Sequence, residues 1–207
     1  MNTTETRSQV FRRLKNLHLP DKLGTKLQYS NIGYTIAGEA AANVAKVPYE
    51  HLVRNKIFRP LGLTHTGFSP IEMGKRPNHS RPFYADSLKD AQAGRFHQGY
   101  FDNFIELEAA AGDVYSNVFD LLKWGSTIMH HGQLDGKQIL NKESVEEVLS
   151  ARTVYRAKKT IPELSPTTTY GMGWFIDSYK GQAIYYHSKF NPRKVTFPLV
   201  STECWCT

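Results

Sequence analysis

The chain has 207 residues, 40% of them hydrophobic and 12% aromatic, enough to bury a sizeable core, which excludes a disordered or fibrous protein. The mean hydropathy is −0.46 and no apolar run approaches the ~18 residues of a membrane span, so no membrane segment is expected. The formal charge of +7 invites a nucleic-acid reading. However, the Lys and Arg residues are scattered, and no zinc finger, RNP-like strand or recognition helix accompanies them, so a basic solvated surface is expected and no nucleic-acid partner.

Residues 7–17, RSQVFRRLKNL, place Val10, Leu14 and Leu17 on one helical stripe opposite the bases. The opening MNTTETRSQVFRRLKN has no apolar core of a leader, so no secretory signal is expected, and a cytoplasmic location or an open one follows. Pro20 and Gly24 break the chain. From Ser30 the run SNIGYTIAGEAAANVAKV is small and apolar nearly all round, the pattern of a buried helix capped by Ser30 or Asn31. Pro48 opens the first turn of the next helix, whose core face is Leu52, Val53, Ile57 and Phe58 and which ends at Pro60-Leu61-Gly62.

Residues 64–104 are rich in Pro and Gly and read as an irregular, functional region. NVFDLLKWGSTIMHH predicts an amphipathic helix with Phe119, Leu122, Trp124, Ile128 and Met129 on its apolar face and Gly132 closing it. NKESVEEVLSA predicts another, with Asn141 or Lys142 at its cap. GMGWFIDSYKGQAIYYHS predicts a β-hairpin turning at residues 179–182. The two cysteines, Cys204 and Cys206, sit together in the tail and make neither a disulfide framework nor a zinc site. His130 and His131 are adjacent, so on a helix their rings diverge rather than converge on a metal, and no metal or cofactor is expected.

Three blocks then align in one order. YSNIGYTIAGEAAANVAKVPYEHLVRNKIFRPLGLTHTGF resembles the Tyr-x-Asn region of the serine β-lactamase and penicillin-binding-protein family, in its class C-related esterase and peptidase branch. AAGDVYSNVFDLLKWGSTIMHHGQ is similar to that branch's Ala-Gly-x-x-x-Ser-x-x-Asp-Leu block, and YGMGWFIDSYKGQAIYYHS to its Tyr-Gly-x-Gly-Trp hairpin. The resemblance implies a truncated α+β fold of β-lactamase/transpeptidase type over residues 8–188, a helical subdomain plus a β-hairpin of the antiparallel sheet, followed by a divergent tail at 189–207. It also implies serine hydrolase chemistry on esters, amides or small peptides. Tyr29 would be the base, Asn31 would hydrogen-bond the substrate carbonyl or the motif lysine, and His187 would take the third-motif cation or donor position.

Two departures qualify that expectation. No serine is followed at the third place onward by lysine, so the Ser-x-x-Lys nucleophile is absent from these residues. The third motif continues His187-Ser188-Lys189, with lysine where the branch has glycine. The chain is therefore expected to be an incomplete, inactive copy, from a partial gene model or an alternative transcript, with a non-catalytic binding pseudoenzyme as the alternative. Its hairpin is expected to lack sheet neighbours, with only the tail segment VTFPLV available to cover an edge.

Overall fold

The structure, a computed structural model, describes residues 6–16, 21–22, 24–25, 27–99, 109–155, 167–187, 189–191, 194–196 and 199–201, the last three by their backbone. Helix α1 (Arg7–Leu14) begins at Thr6, whose hydroxyl accepts from Gln9 N while the Gln9 side chain returns to Thr6 N, a reciprocal cap. Helix α2 (Asn31–Ala45) is capped by Ser30, whose Oγ accepts from Gly33 N at 3.2 Å. Between the two candidate caps, Ser30 is the residue used. Helix α3 (Tyr49–Val53) follows with Pro48 at its N-cap rather than inside its first turn, and runs directly into a π-helical stretch, Arg54–Phe58. Arg7 ties these elements together, pairing with Glu39 of α2 at 2.8 Å and with Glu50 of α3.

The main core forms where the π stretch ends. Phe58, Leu61, Leu63, Phe68 and Ala109 are buried together, with Tyr49, Val53, Ile57 and Trp124 packed around them. Phe58 and Phe68 stack at 5.4 Å, and Tyr49 meets Phe68 edge-on. Residues 64–99 hold only short elements: β1 (Gly67–Phe68), α4 (Pro70–Gly74), β2 (Phe83–Tyr84), α5 (Leu88–Gln92) and β3 (His97–Gln98). Strand β4 (Val114–Tyr115) pairs with β1.

Helix α6 (Val118–Met129) is capped by Asn117 and forms where the sequence predicts it, with Ile128 buried and Trp124 packed against the core as expected, but with part of the predicted face turned outward. Phe119 and Leu122 are exposed, while Asp120, Gly125, Thr127 and Ile128 are buried. Asp120 Oδ2 accepts from His65 N and from Thr66 Oγ1, both at 2.8 Å, so this carboxylate fastens α6 to the chain entering β1. Strands β5 (Gln133–Leu134) and β6 (Lys137–Gln138) make a small hairpin, and α7 (Lys142–Val148) is capped by Asn141.

A five-stranded antiparallel sheet closes the described fold. Its strands are β7 (Thr153–Tyr155), β8 (Thr168–Tyr170), β9 (Phe175–Tyr179), β10 (Gln182–Tyr186) and β13 (Leu199–Ser201), ordered β13-β10-β9-β8-β7. Separately, β11 (Lys189–Asn191) pairs with β12 (Lys194–Thr196). The predicted hairpin is β9–β10, with Tyr179 opposite Gln182. Its turn is the two residues Lys180 and Gly181, both at positive φ (48° and 83°), the backbone that two-residue hairpins require. The expectation of a hairpin without neighbours is corrected. Strand β8 pairs with β9, and Leu199–Ser201 of the tail pairs with β10, so both hairpin strands are interior. Of the VTFPLV segment, Leu199 and Val200 supply that second edge.

The expected burial of α2 is also corrected. Its buried residues are Thr35, Gly38 and Ala42 alone, and Ile32, Ile36 and Val44 are exposed. Gly38 marks the packed side: a Cβ there would lie 2.4 Å from Ala110 Cβ, so only glycine permits this approach.

Candidate functional site

Tyr29 is the last residue before the Ser30 cap, and His187 follows the end of β10. The cap fixes the entry to α2, and the hairpin fixes the exit from β10. These two local devices bring residues 158 apart in sequence to 3.3 Å, Tyr29 Oη to His187 Nε2. The rings sit at 5.9 Å with a tilt of 41°.

The imidazole has a second anchor. His187 Nδ1 lies 2.7 Å from the carbonyl oxygen of Gly173, which can only accept, so Nδ1 carries the proton. In the neutral ring Nε2 is then bare and accepts the Tyr29 O–H. The orientation of the imidazole toward Tyr29 is thus set by one backbone carbonyl. Gly173 has φ +87°, which glycine adopts at little cost, and it stands in the Tyr170-Gly171-Met172-Gly173-Trp174 turn between β8 and β9.

Beside the pair lies an open cavity of about 220 Å³ lined by Leu27, Gln28, Tyr29, Ser30, Gly33, Tyr34, Ala37 and Tyr170, with no charged side chain among them. Its floor joins helix to sheet: Tyr34 Oη and Tyr170 Oη are 3.1 Å apart. Burial, helped by the hydrogen bond with Tyr34, pushes the Tyr170 phenol well above the usual tyrosine range, so it stays protonated. The Phe175 ring packs against His187 at 5.5 Å and against Tyr170 at 4.8 Å, and holds the imidazole from the sheet side.

The structure therefore brings two of the three candidate residues together. Asn31 is the first residue of α2, half-buried, and lies outside the cavity lining. Lys189 enters β11, and its side chain lies outside the described residues. Sequence reasoning missed Gly173, Tyr34 and Tyr170. The signal for Gly173 was available in the Tyr-Gly-x-Gly-Trp turn, and that for Tyr34 in its place one helical turn beyond Ser30. Among the described residues no group of three or more His, Cys, Asp or Glu side chains could hold a metal ion.

A helical region joined to an antiparallel sheet, with a tyrosine at a helix entry facing a histidine at a strand end, is an α+β fold of the penicillin-binding-protein and β-lactamase type, as its solved neighbours show. An octameric penicillin-binding protein homologue from Pyrococcus abyssi superposes with a TM-score of 0.70 at 22% identity, over 88% of this chain and 38% of that one. The D-amino acid amidase from Ochrobactrum anthropi gives 0.64 at 21% identity, over 91% and 50%. The chain belongs to the Beta-lactamase family, whose model matches residues 1–190. Among curated relatives, the Escherichia coli K12 protein named "Putative D-alanyl-D-alanine carboxypeptidase" is 23% identical over 187 residues, 84% of this chain. Bacillus subtilis "Putative penicillin-binding protein PbpX" is 25% identical over 148 residues, 72% of this chain. The chain spans 40% and 31% of those two relatives' lengths.

Proposed function

We propose that Tyr29 and His187 form the proton-handling side of a serine acyl-transfer site for an ester, amide or short peptide, and that these 207 residues alone do not complete the reaction. The observation that carries the reading is the Tyr29–His187 hydrogen bond with the imidazole orientation fixed by Gly173. In such a site a serine hydroxyl attacks the substrate carbonyl carbon. Its proton passes to the Tyr29 oxygen while the Tyr29 proton moves to His187 Nε2, and the proton returns along the same path to the leaving group as the carbon–heteroatom bond breaks. Asn31, at the opening of α2, is assigned to the substrate carbonyl. The names of the carboxypeptidase and amidase relatives support the substrate class.

The missing component is the nucleophile. Among the described residues, Ser30 is the only serine lining the cavity, and its Oγ is occupied by the helix cap. Intact-mass spectrometry after incubation with benzylpenicillin, p-nitrophenyl acetate and D-phenylalanine amide tests the reading. The expected result is no covalent adduct and no turnover, and a stoichiometric adduct on any serine overturns it. The open uncharged cavity favours a second reading, a non-catalytic carbonyl-binding protein. A boronate or penicillin that shifts the resonances of Tyr29, Tyr34 and Tyr170 without being turned over supports that reading; shifts confined to other regions refute it.

A further inference from the structure

Between Pro82 and Gly99 the chain leaves the body of the protein and returns. Gly99 N donates to the Pro82 carbonyl at 2.8 Å and both residues are buried, whereas residues 83–98 include none that is. Among the described residues β2 and β3 pair only with each other, and α5 lies at the far end of this ribbon. A solvated excursion normally carries polar side chains, yet here Leu88 is 76% exposed, Phe96 55%, Phe83 50% and Tyr84 41%. Phe83 and Tyr84 are successive residues of β2, so they point to opposite faces of the ribbon. Tyr84 shares its face with His97, the two rings 5.4 Å apart. Apolar bulk therefore lies on both faces and at the tip, and no contact made on one side can cover it. The carboxylates of the ribbon are taken up within it. Asp90 accepts from Arg95 Nε at 2.8 Å and from the Ser87 hydroxyl, and Asp86 lies 3.0 Å from His97 Nε2. Arg81 and Lys89 are exposed, and Arg81 meets only the neutral amide of Gln98, at 3.4 Å.

We infer that this ribbon seats the protein on an anionic phospholipid surface, with Leu88, Phe96, Phe83 and Tyr84 entering the headgroup region and Arg81 and Lys89 meeting lipid phosphates. The two-sided exposure selects the occupant. A lipid interface surrounds an inserted side chain on every side, whereas a folded protein surface or a stacked base covers one face. The charge selects the lipid. With Asp86 and Asp90 held inside the ribbon, the groups it offers outward are basic, and the formal charge of +7 on the whole chain adds attraction toward acidic headgroups. The attachment is peripheral, and it stands whether or not the acyl-transfer reading does.

Co-sedimentation of the full chain with phosphatidylcholine vesicles holding about one-third phosphatidylserine tests the inference. Association is expected, weaker on phosphatidylcholine alone and weaker again as salt rises. Leu88→Ser/Phe96→Ser should lower the partition coefficient roughly tenfold or more, because burial of these two side chains supplies most of the attraction. Lys89→Gln should lower it roughly fivefold on the anionic vesicles and leave it unchanged on the neutral ones. All three side chains are exposed, so both variants should keep the circular dichroism and Tm of the parent. In Leu88→Trp, indole emission should shift to the blue on the anionic vesicles beyond any change in the parent. Absence of association with the anionic vesicles, or association undiminished by the two serines, overturns the inference. So does salt-sensitive binding of a single-stranded oligonucleotide that the two serines abolish, in the absence of vesicle binding, which would make the ribbon a nucleic-acid surface.

Discussion

Two glycine-to-alanine substitutions with opposite expected signs test whether the site is held by backbone geometry. Gly173→Ala places a methyl group 3.7 Å from Tyr34 Oη, an ordinary contact, so sterics contribute nothing. The cost is conformational. At φ +87° an L-residue pays about 1–2 kcal/mol. If the backbone relaxes instead, the Gly173 carbonyl turns away from His187 Nδ1 and a hydrogen bond worth about 1 kcal/mol net is lost. Gly33→Ala also makes only an ordinary contact, with its nearest atom at 3.8 Å, but its backbone is helical, so it gains about 0.5–1 kcal/mol of helix propensity. The two variants should therefore differ by about 1.5–3 kcal/mol in urea denaturation. For a chain of this size that separates their Tm values by about 3–12 °C. Nitrogen-15 spectra of the imidazole report which route Gly173→Ala takes, because a released carbonyl frees the ring to exchange tautomers. A Gly173→Ala protein as stable as its parent, with unaltered His187 signals, would refute the argument.

Other outcomes follow from named contacts. Asp120→Asn keeps the shape but removes the charge that receives His65 N–H and Thr66 O–H; a loss of about 2 kcal/mol is expected by chemical denaturation. Tyr34→Phe removes the hydroxyl partner of Tyr170 and should cost about 1 kcal/mol, while lowering the alkaline titration of Tyr170 followed by ultraviolet difference spectra. The folded protein holds the Tyr170 proton more tightly than the unfolded chain, so stability should fall as pH rises above about 10, the unfolded phenol value. Burial raises the Glu50 carboxyl, but hydrogen bonding and attraction from Arg7 outweigh it and hold the group below its ordinary range. The stability this contributes is present above the unfolded value of about 4.3 and disappears as pH falls through the folded one. Arg7→Met should flatten that acid dependence, seen as Tm against pH.

Local signals in the sequence were legible because they act over a few residues. The Ser30 and Asn141 caps and the β9–β10 hairpin all lie where residue chemistry puts them. Burial was less legible. Hydrophobic periodicity chose Phe119, Leu122, Trp124, Ile128 and Met129 for the inner face of α6; Trp124 and Ile128 lie there, yet Phe119 and Leu122 are exposed and the fold buries Asp120 and Thr127. The carboxylate has backbone and hydroxyl donors waiting on the β1 side, and Thr127 Oγ1 bonds to the Lys123 carbonyl at 2.8 Å. Such satisfied polar groups are invisible to a pattern that counts apolar residues. The apolar surround of α2 read as burial, but which neighbours cover a helix is a tertiary fact. Within the site, Tyr29 and His187 were found through family motifs rather than spacing. The Gly173 carbonyl that orients the imidazole is a backbone atom, and no side-chain identity announces it.

The 158-residue separation of Tyr29 and His187 also bears on how the protein acquires its site. Strands β7 to β10 pair in chain order, so that meander can assemble from near-neighbour segments as it emerges. The tyrosine–histidine contact instead closes a loop spanning most of the chain, at an entropic cost on the order of 4–5 kcal/mol that one exposed hydrogen bond cannot repay. It forms only once the helical core and the sheet have docked. The contact is accordingly a late event in folding, and an imidazole–phenol cross-peak would report completed assembly better than any helical or strand signal.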